Sequence, residues 1–181
     1  MKNEAIEMIK TPLSLIRAVA FCLPLALVTS CGSGSGSPTP GAPEAPTGST
    51  LTVSPDAVPW DIGSSPCDYS VLQDTYFNIV ARDPNGAALA GIGLRVSLAL
   101  APGTVIFTPP YTPMFLYDDL DGDGFYTDLI TSFPHYTTTG GSGTKLLRVQ
   151  YDLSCAYAGN LDVFSGPAYG TANISVTLVA P

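Results

Sequence analysis

Apolar and polar side chains alternate along several stretches of the chain, and this alternation predicts β-strands. In Tyr76–Ala81 the residues Phe77, Ile79 and Ala81 fall on one face, while polar Asn78 falls on the other. A period of two is the spacing of a strand with one buried face, and aromatic and β-branched residues favour such a surface. The same period recurs in three further segments: Leu94–Leu100, Leu146–Leu153 and Ala172–Val179.

Turn residues separate the predicted strands. Asp83–Gly86 has the sequence DPNG, in which Pro presets φ and Asn-Gly tolerates left-handed backbone, so the flanking segments are predicted to form a strand–turn–strand pair. Leu51–Val53, which Pro55–Pro59 interrupts, and Val105–Thr108 predict two more strands. The chain has 18 Gly and 17 Pro residues and shows no long helical periodicity. It therefore predicts an all-β domain, with the single tryptophan, Trp60, plugging one end.

The turn region also carries a family resemblance. The run IVARDPNGAALAGIGLRVSL resembles the bacterial immunoglobulin-like domains of the invasin and intimin type, whose second strand ends in a glycine-containing turn into the third. The resemblance implies an immunoglobulin-like antiparallel β-sandwich of about seven strands. The residues and segments that carry it within Leu51–Ala180 are Asp83, Gly86, Gly91, Val96, Asp121–Ser132 and Gly143–Asp152.

Residues 1–30 have the layout of a secretory signal peptide. Lys10 and Arg17 precede an apolar run, Ala18–Val28, that is too short for a comfortable transmembrane helix. The run ends in VTSC, and Val28–Cys31 resembles the lipobox of bacterial lipoproteins. That resemblance implies that Cys31 is acylated and becomes the first residue of the mature protein, since several acyl chains make a stable anchor. The alternative is an ordinary signal peptide that contains a cysteine by chance.

A Gly-, Ser- and Pro-rich segment follows the predicted lipid anchor. Gly32–Thr50 contains no large apolar residue and one charge, Glu44, so it is predicted to be a linker. The predicted organisation is a signal peptide at 1–30, a lipidated cysteine and linker at 31–50, and a sandwich domain at 51–181. Gly32, rather than Asp, follows Cys31, which favours an outer-membrane lipoprotein, facing either the periplasm or the cell surface.

Net charge excludes one class of partner. After removal of residues 1–30 the chain keeps four cationic residues against 13 acidic ones, a net charge of −9. Such a surface repels nucleic-acid phosphates and anionic lipid headgroups. We expect no nucleic-acid partner and a membrane contact made by the lipid anchor alone.

Two cysteines remain after the anchor. Cys67 and Cys155 form an even pair in a chain predicted to be exported, which favours a disulfide between them. Metal binding by the two cysteines with the only histidine, His135, is the alternative, and the chain contains no C-x-x-C redox motif.

A proline-broken segment, PPYTPMFLY, suggests a contact surface. It contains four residues that would form a sticky patch if exposed, namely Tyr111, Met114, Phe115 and Tyr117. The alternative is a loop that buries its own aromatic residues. His135 is predicted to be a surface or capping residue. Because the chain lacks G-x-S-x-G and any Glu beyond Glu44, we expect no enzymatic activity.

An acidic loop follows that segment. Asp119, Asp121 and Asp123, with Gly124 next, match the first half of an EF-hand-like calcium loop. Ile130 stands where a bidentate Glu is expected, and Asp128 is the candidate substitute. The loop predicts a weak Ca²⁺ site, and an ordinary Asp-Gly turn is the alternative.

Together these features suggest a non-enzymatic, lipid-anchored cell-envelope protein whose sandwich domain contacts another protein, in adhesion or in surface assembly. Two alternatives remain. One is a structural subunit that polymerises by strand exchange, with Leu51–Val53 or the last strand as donor. The other is an accessory subunit of an envelope complex.

Overall fold

A computed structural model describes residues 41–62, 69–101 and 112–178, apart from the side chain of residue 178. These residues form strands and loops without any helix. None of the described segments is therefore a helix long and apolar enough to cross a membrane. The all-β prediction is confirmed, although the described residues contain ten strands where about seven were expected. The strands are β1 Thr50–Ser54, β2 Ala57–Ile62, β3 Leu72–Arg82, β4 Gly93–Leu100, β5 Met114–Asp118, β6 Asp128–Leu129, β7 His135–Thr138, β8 Thr144–Asp152, β9 Tyr157–Ser165 and β10 Ala168–Leu178.

The strands form two five-stranded sheets. Sheet A has the order β1-β3-β8-β5-β6, and sheet B has the order β2-β10-β9-β4-β7. Every pairing is antiparallel except that of β10 with β2, which is parallel. The predicted interruption at Pro55–Pro59 is a change of sheet, since β1 pairs with β3 while β2 begins at Ala57 in the other sheet. Pro59 is tolerated because β2 lies at an edge of the described sheet.

The predicted strand–turn–strand pair is wrong in one respect, because β3 and β4 lie in different sheets. The turn itself forms as expected: Gly86 has φ +85° and donates its amide to the Asp83 carbonyl at 2.9 Å. Afterwards Leu89 donates to Ala81 at 3.0 Å and Gly91 donates to Thr139 at 3.0 Å. The chain thus follows the edge of β3 briefly and then crosses to sheet B.

The core lies between the sheets and is filled by the faces that the alternation predicts. In β3, β8 and β10 nine inward side chains are at most 2% exposed. They are Phe77, Ile79, Ala81, Leu147, Val149, Tyr151, Ala172, Ile174 and Val176. In β4 the pattern fades along the strand, because Leu94 is buried but Leu100 is 40% exposed. Trp60 packs against the core from β2, and the predicted strand at Val105–Thr108 lies outside the described residues.

Residues 41–49, which were assigned to the linker, lie against the sandwich. The amide of Gly93 donates to the Pro43 carbonyl at 2.8 Å, and the amide of Ala45 donates to Ser165 Oγ at 3.0 Å. Ala45 is only 3% exposed. A segment without large apolar residues is therefore held by backbone hydrogen bonds and one small buried side chain.

Candidate functional site

The predicted sticky patch belongs to a strand. Met114 is 8% exposed and part of the core, so its assignment to an exposed surface is wrong. Phe115 and Tyr117 are half-buried, and Tyr111 lies outside the described residues. The physical reason is pairing with β8, which gives the segment a strand's alternation and turns Met114, Leu116 and Asp118 inward. Arg148 covers the Tyr117 ring, with its guanidinium carbon 4.1 Å from the ring centroid.

A row of outward-facing side chains crosses the outer face of sheet B instead. Tyr136 on β7 is in register with Arg95 on β4, Arg95 with Phe164 on β9, and Phe164 with Tyr169 on β10. We call these four residues the aromatic row. They point outward because residues on either side of them, such as Val96 and Val163, are buried in the core.

The aromatic row is ordered by contacts among its own members. The Arg95 guanidinium carbon lies 4.6 Å from the Phe164 ring centroid, and the Phe164 and Tyr169 centroids are 4.8 Å apart with a 36° interplanar angle. The Tyr169 hydroxyl donates to Asp162 Oδ1 at 2.8 Å. Tyr136 and Tyr169 remain 50% and 51% exposed. The row is therefore a pre-organised apolar surface with one cation.

A cleft of about 800 Å³ lies beside the aromatic row. Arg95, Tyr136 and Phe164 contribute to its lining, and so do Glu44 and other residues of segment 41–44. The hydrogen bonds of Pro43 and Ala45 described above fix that segment. The cleft thus joins aromatic surface, a guanidinium and a carboxylate in one concave site.

Three ionisable side chains meet inside the sandwich: Asp118 of β5, His135 of β7 and Lys145 of β8. Asp118 is fully buried, with Oδ2 2.9 Å from His135 Nε2 and Oδ1 2.5 Å from Lys145 Nζ. Burial alone would raise the pKa of Asp118, but the hydrogen bond with His135 and the charge of Lys145 outweigh it and hold the pKa below its ordinary value. His135 is 7% exposed, so its prediction as a surface or capping residue is wrong.

The acidic loop brings three of its four predicted ligands together. Carboxylate oxygens of Asp119, Asp121 and Asp128 all lie within 4.8 Å of one another, whereas Asp123 is not in this group. Asp123 Oδ1 instead accepts from the Phe125 amide at 2.8 Å. Ile130 is 8% exposed in the core, which explains why no ligand stands there.

Backbone amides already satisfy part of the loop's carboxylates. Asp119 accepts from Gly122 at 2.8 Å and from Gly124 at 3.1 Å, and Asp128 accepts from Leu120 at 2.8 Å. The amide of Asp123 lowers the pKa of Asp121, but desolvation and the negative charges nearby outweigh it and raise that pKa. The loop is thus a formed turn in which like charges repel one another.

Calcium binding remains a prediction. Because Asp121 belongs to the carboxylate group and Asp123 does not, the two residues provide a test variant and a control. A cation that binds only the folded state adds RT ln(1 + [L]/Kd) to the free energy of unfolding, about 1.4 kcal/mol at roughly a tenfold excess over Kd. We expect the melting temperature to rise by several degrees in millimolar Ca²⁺, since a site this poor in ligands falls in the weak range of about 10⁻⁴–10⁻³ M. Asp121→Ala should abolish the rise, while the matched control Asp123→Ala should keep it. Equal melting curves with chelator and with calcium would leave an ordinary acidic turn.

Of the two cysteines in the predicted disulfide, the structure describes Cys155. Cys155 is 5% exposed and belongs to the core cluster between β8 and β9. Cys67 lies outside the described residues, so the pairing stays a prediction. Cys31 and the rest of the signal region also lie outside them.

Comparisons with known proteins give structural likeness only. No protein-family model matches the sequence, and no curated protein is similar to it. The chain is similar to the "D00-D0 domain of Intimin" at 11% identity and TM-score 0.37, over 72% of this chain and 46% of that one. It is also similar to the "ASH / PapD-like domain of human CEP192 (PapD-like domain 7)" at 10% identity and TM-score 0.35, over 78% and 94%. The chain thus spans less than half of the intimin structure, and the fold class is taken from its own strand order.

Proposed function

We propose that this chain is a non-enzymatic, lipid-anchored protein of the cell envelope whose sandwich binds another protein through the aromatic row. The observation that carries the proposal is the row itself: three aromatic residues and an arginine in register on four adjacent strands. Tyr, Phe and Arg are the residue types enriched at protein interfaces, and ordered rings lose little conformational entropy on binding. The exposed tyrosines of the row replace the predicted patch around Tyr111 and Tyr117 as the contact surface.

Charge defines the chemistry of the partner. Arg95 lies in the row, on a mature chain with a net charge of −9. An acidic side chain of the partner would find its complement at Arg95, on a chain whose charged residues are mostly acidic. The adjoining cleft has room for apolar side chains of the partner next to the partner's own carboxylate. The expected partner is therefore a protein segment that presents a carboxylate next to apolar residues.

The strand-exchange alternative is less favoured by the fold. Leu51–Val53 pairs with β3, and β10 lies between β9 and β2. A donor strand would have to leave a formed sheet before it could enter a neighbouring copy. If the chain is instead an accessory subunit of an envelope complex, it would bind that complex through the same aromatic row.

Photo-crosslinking in intact cells tests the contact surface. A photoreactive phenylalanine replacing Tyr136 should give one dominant adduct. The matched control position is Tyr76, which is also 50% exposed but lies on β3 of sheet A. Arg95→Glu should weaken capture of the same partner by about 30-fold, the effect of a residue worth about 2 kcal/mol. Equal adducts from both positions, or capture indifferent to Arg95→Glu, would contradict the proposal.

A further inference from the structure

The buried ionic cluster places a nucleophile against a carboxyl group. Lys145 and Asp118 point inward from strands β8 and β5, which are paired from Met114 to Tyr117. Asp118 is 0% exposed and the Lys145 side chain is 16% exposed. We propose that Lys145 Nζ and Asp118 Cγ condense to an intramolecular amide, with His135 stabilising the oxygen on which negative charge develops.

Distance is the first support. Nζ lies 2.5 Å from Oδ1, closer than the usual 2.7–2.9 Å of a charge-assisted hydrogen bond. Because Oδ1 is bonded to Cγ at about 1.23 Å, Nζ is no more than about 3.7 Å from Cγ. Reacting atoms held at about 3–3.5 Å have effective molarities of about 10⁵–10⁸ M. Strands β5 and β8 place the two groups near that range.

Hydrogen-bond donors around the Asp118 carboxylate also support the proposed amide. His135 approaches from the opposite sheet and contacts the other carboxylate oxygen, Oδ2, at 2.9 Å. The amide of Asp119 donates to Oδ1 at 2.7 Å. Both oxygens are thus polarised by fixed donors in a site shielded from water, where such donors act most strongly. A neutral amide would also replace an ion pair whose burial is costly.

The step balances without a co-reactant. The Lys145 ammonium transfers one proton to Oδ1, and the free amine attacks Cγ to form the Nζ–Cγ bond. The charge that develops on Oδ2 is held by His135 in its Nε2–H tautomer. A second proton passes from Nζ to Oδ1, the Cγ–Oδ1 bond breaks, and Oδ1 leaves as water. One proton stays on the amide nitrogen. This is a single modification of the chain itself and differs from enzymatic turnover.

Intact mass of the purified, reduced protein tests the proposal. The wild type should be lighter than its sequence by the mass of one water molecule. Lys145→Arg, which keeps the positive charge but removes the nucleophilic amine, should have its full mass, as should Asp118→Ala. A wild type of full mass would overturn the proposal, and this result does not depend on how the variants fold.

Trypsin locates the bond and separates it from another loss of water. No Lys or Arg lies between Arg95 and Lys145, so a free Lys145 yields the peptide Val96–Lys145. The amide blocks that cut and yields Val96–Arg148, less one water. Cyclisation at Asp121-Gly122 or Asp123-Gly124 would also release water, but it leaves the cut after Lys145 and persists in Lys145→Arg. Mass loss with that cut intact would therefore refute the amide.

His135 is tested by the rate of conversion. His135→Ala should leave most of the protein at full mass after purification, and His135→Gln, which retains an N–H donor, should restore part of the conversion. Complete conversion in His135→Ala would overturn the role of His135 while leaving the amide in place.

Discussion

Replacing Cys67 and Cys155 by alanine should lower the free energy of unfolding by about 2–5 kcal/mol. A bond between them would close a loop of about 90 residues, and the entropy of that closure corresponds to about 4–5 kcal/mol at most. Cys155 is 5% exposed within the core cluster, so a bond there would fix the β8–β9 connection to the segment before β3. Denaturant unfolding of the mature protein, with and without reductant, measures the loss.

A double-mutant cycle separates the disulfide from the packing of the two side chains. If the bond exists, either single alanine variant should cost nearly as much as the double variant, and reductant should not destabilise any of the three further. Additive losses, together with two titratable thiols in the unfolded wild type before reduction, would show that the bond is absent.

Replacing Cys31 by serine should abolish lipid anchoring of the protein. The proposed anchor depends on acylation of this one sulfur, and the mature domain is too acidic to be held by anionic lipid. We expect the wild type to sediment with membranes and to carry acyl mass on its first mature residue. The variant should be soluble or remain an unprocessed precursor.

The matched control for that experiment is Cys22→Ser, which alters another cysteine of the same signal region. It should leave processing and membrane recovery unchanged. Normal cleavage of Cys31→Ser, combined with a wild type that carries no acyl mass, would rule out the lipoprotein assignment.

Strands with a regular alternation could be predicted from sequence, and those that depend on their neighbours could not. Phe77, Ile79 and Ala81 are fully buried, as their spacing indicates. Strand β9 has the same spacing, and its Leu161 and Val163 are buried. Its Gly and Asn residues make the segment less apolar, so the alternation is harder to recognise in the sequence. A period of two assigns the faces of a strand and says nothing about which strand lies beside it. The separation of β3 and β4 into different sheets could therefore not be predicted from the sequence.

The sites were harder to predict because each is assembled from distant strands. Asp118, His135 and Lys145 come from β5, β7 and β8, and no sequence spacing links them. One signal was nevertheless present: Lys145 shares its parity with Leu147 and Val149, which places a charge on an inward face. Arg95 likewise alternates with buried residues and is therefore outward, but the register that puts it beside Tyr136 and Phe164 is a property of the assembled sheet.

The position of β10 has a consequence for the order of folding. The strand lies between β9 and β2, and its Thr177 hydroxyl donates to Asp61, which is 116 residues earlier in the chain. Because β2 is paired with β10, sheet B cannot close until Ala168–Leu178 has been synthesised. Contacts between residues so far apart also make the final closure slow, since the ends of a long loop must meet first. A nascent chain that stops at β9 would thus leave part of the inner face of sheet A uncovered and available to a chaperone.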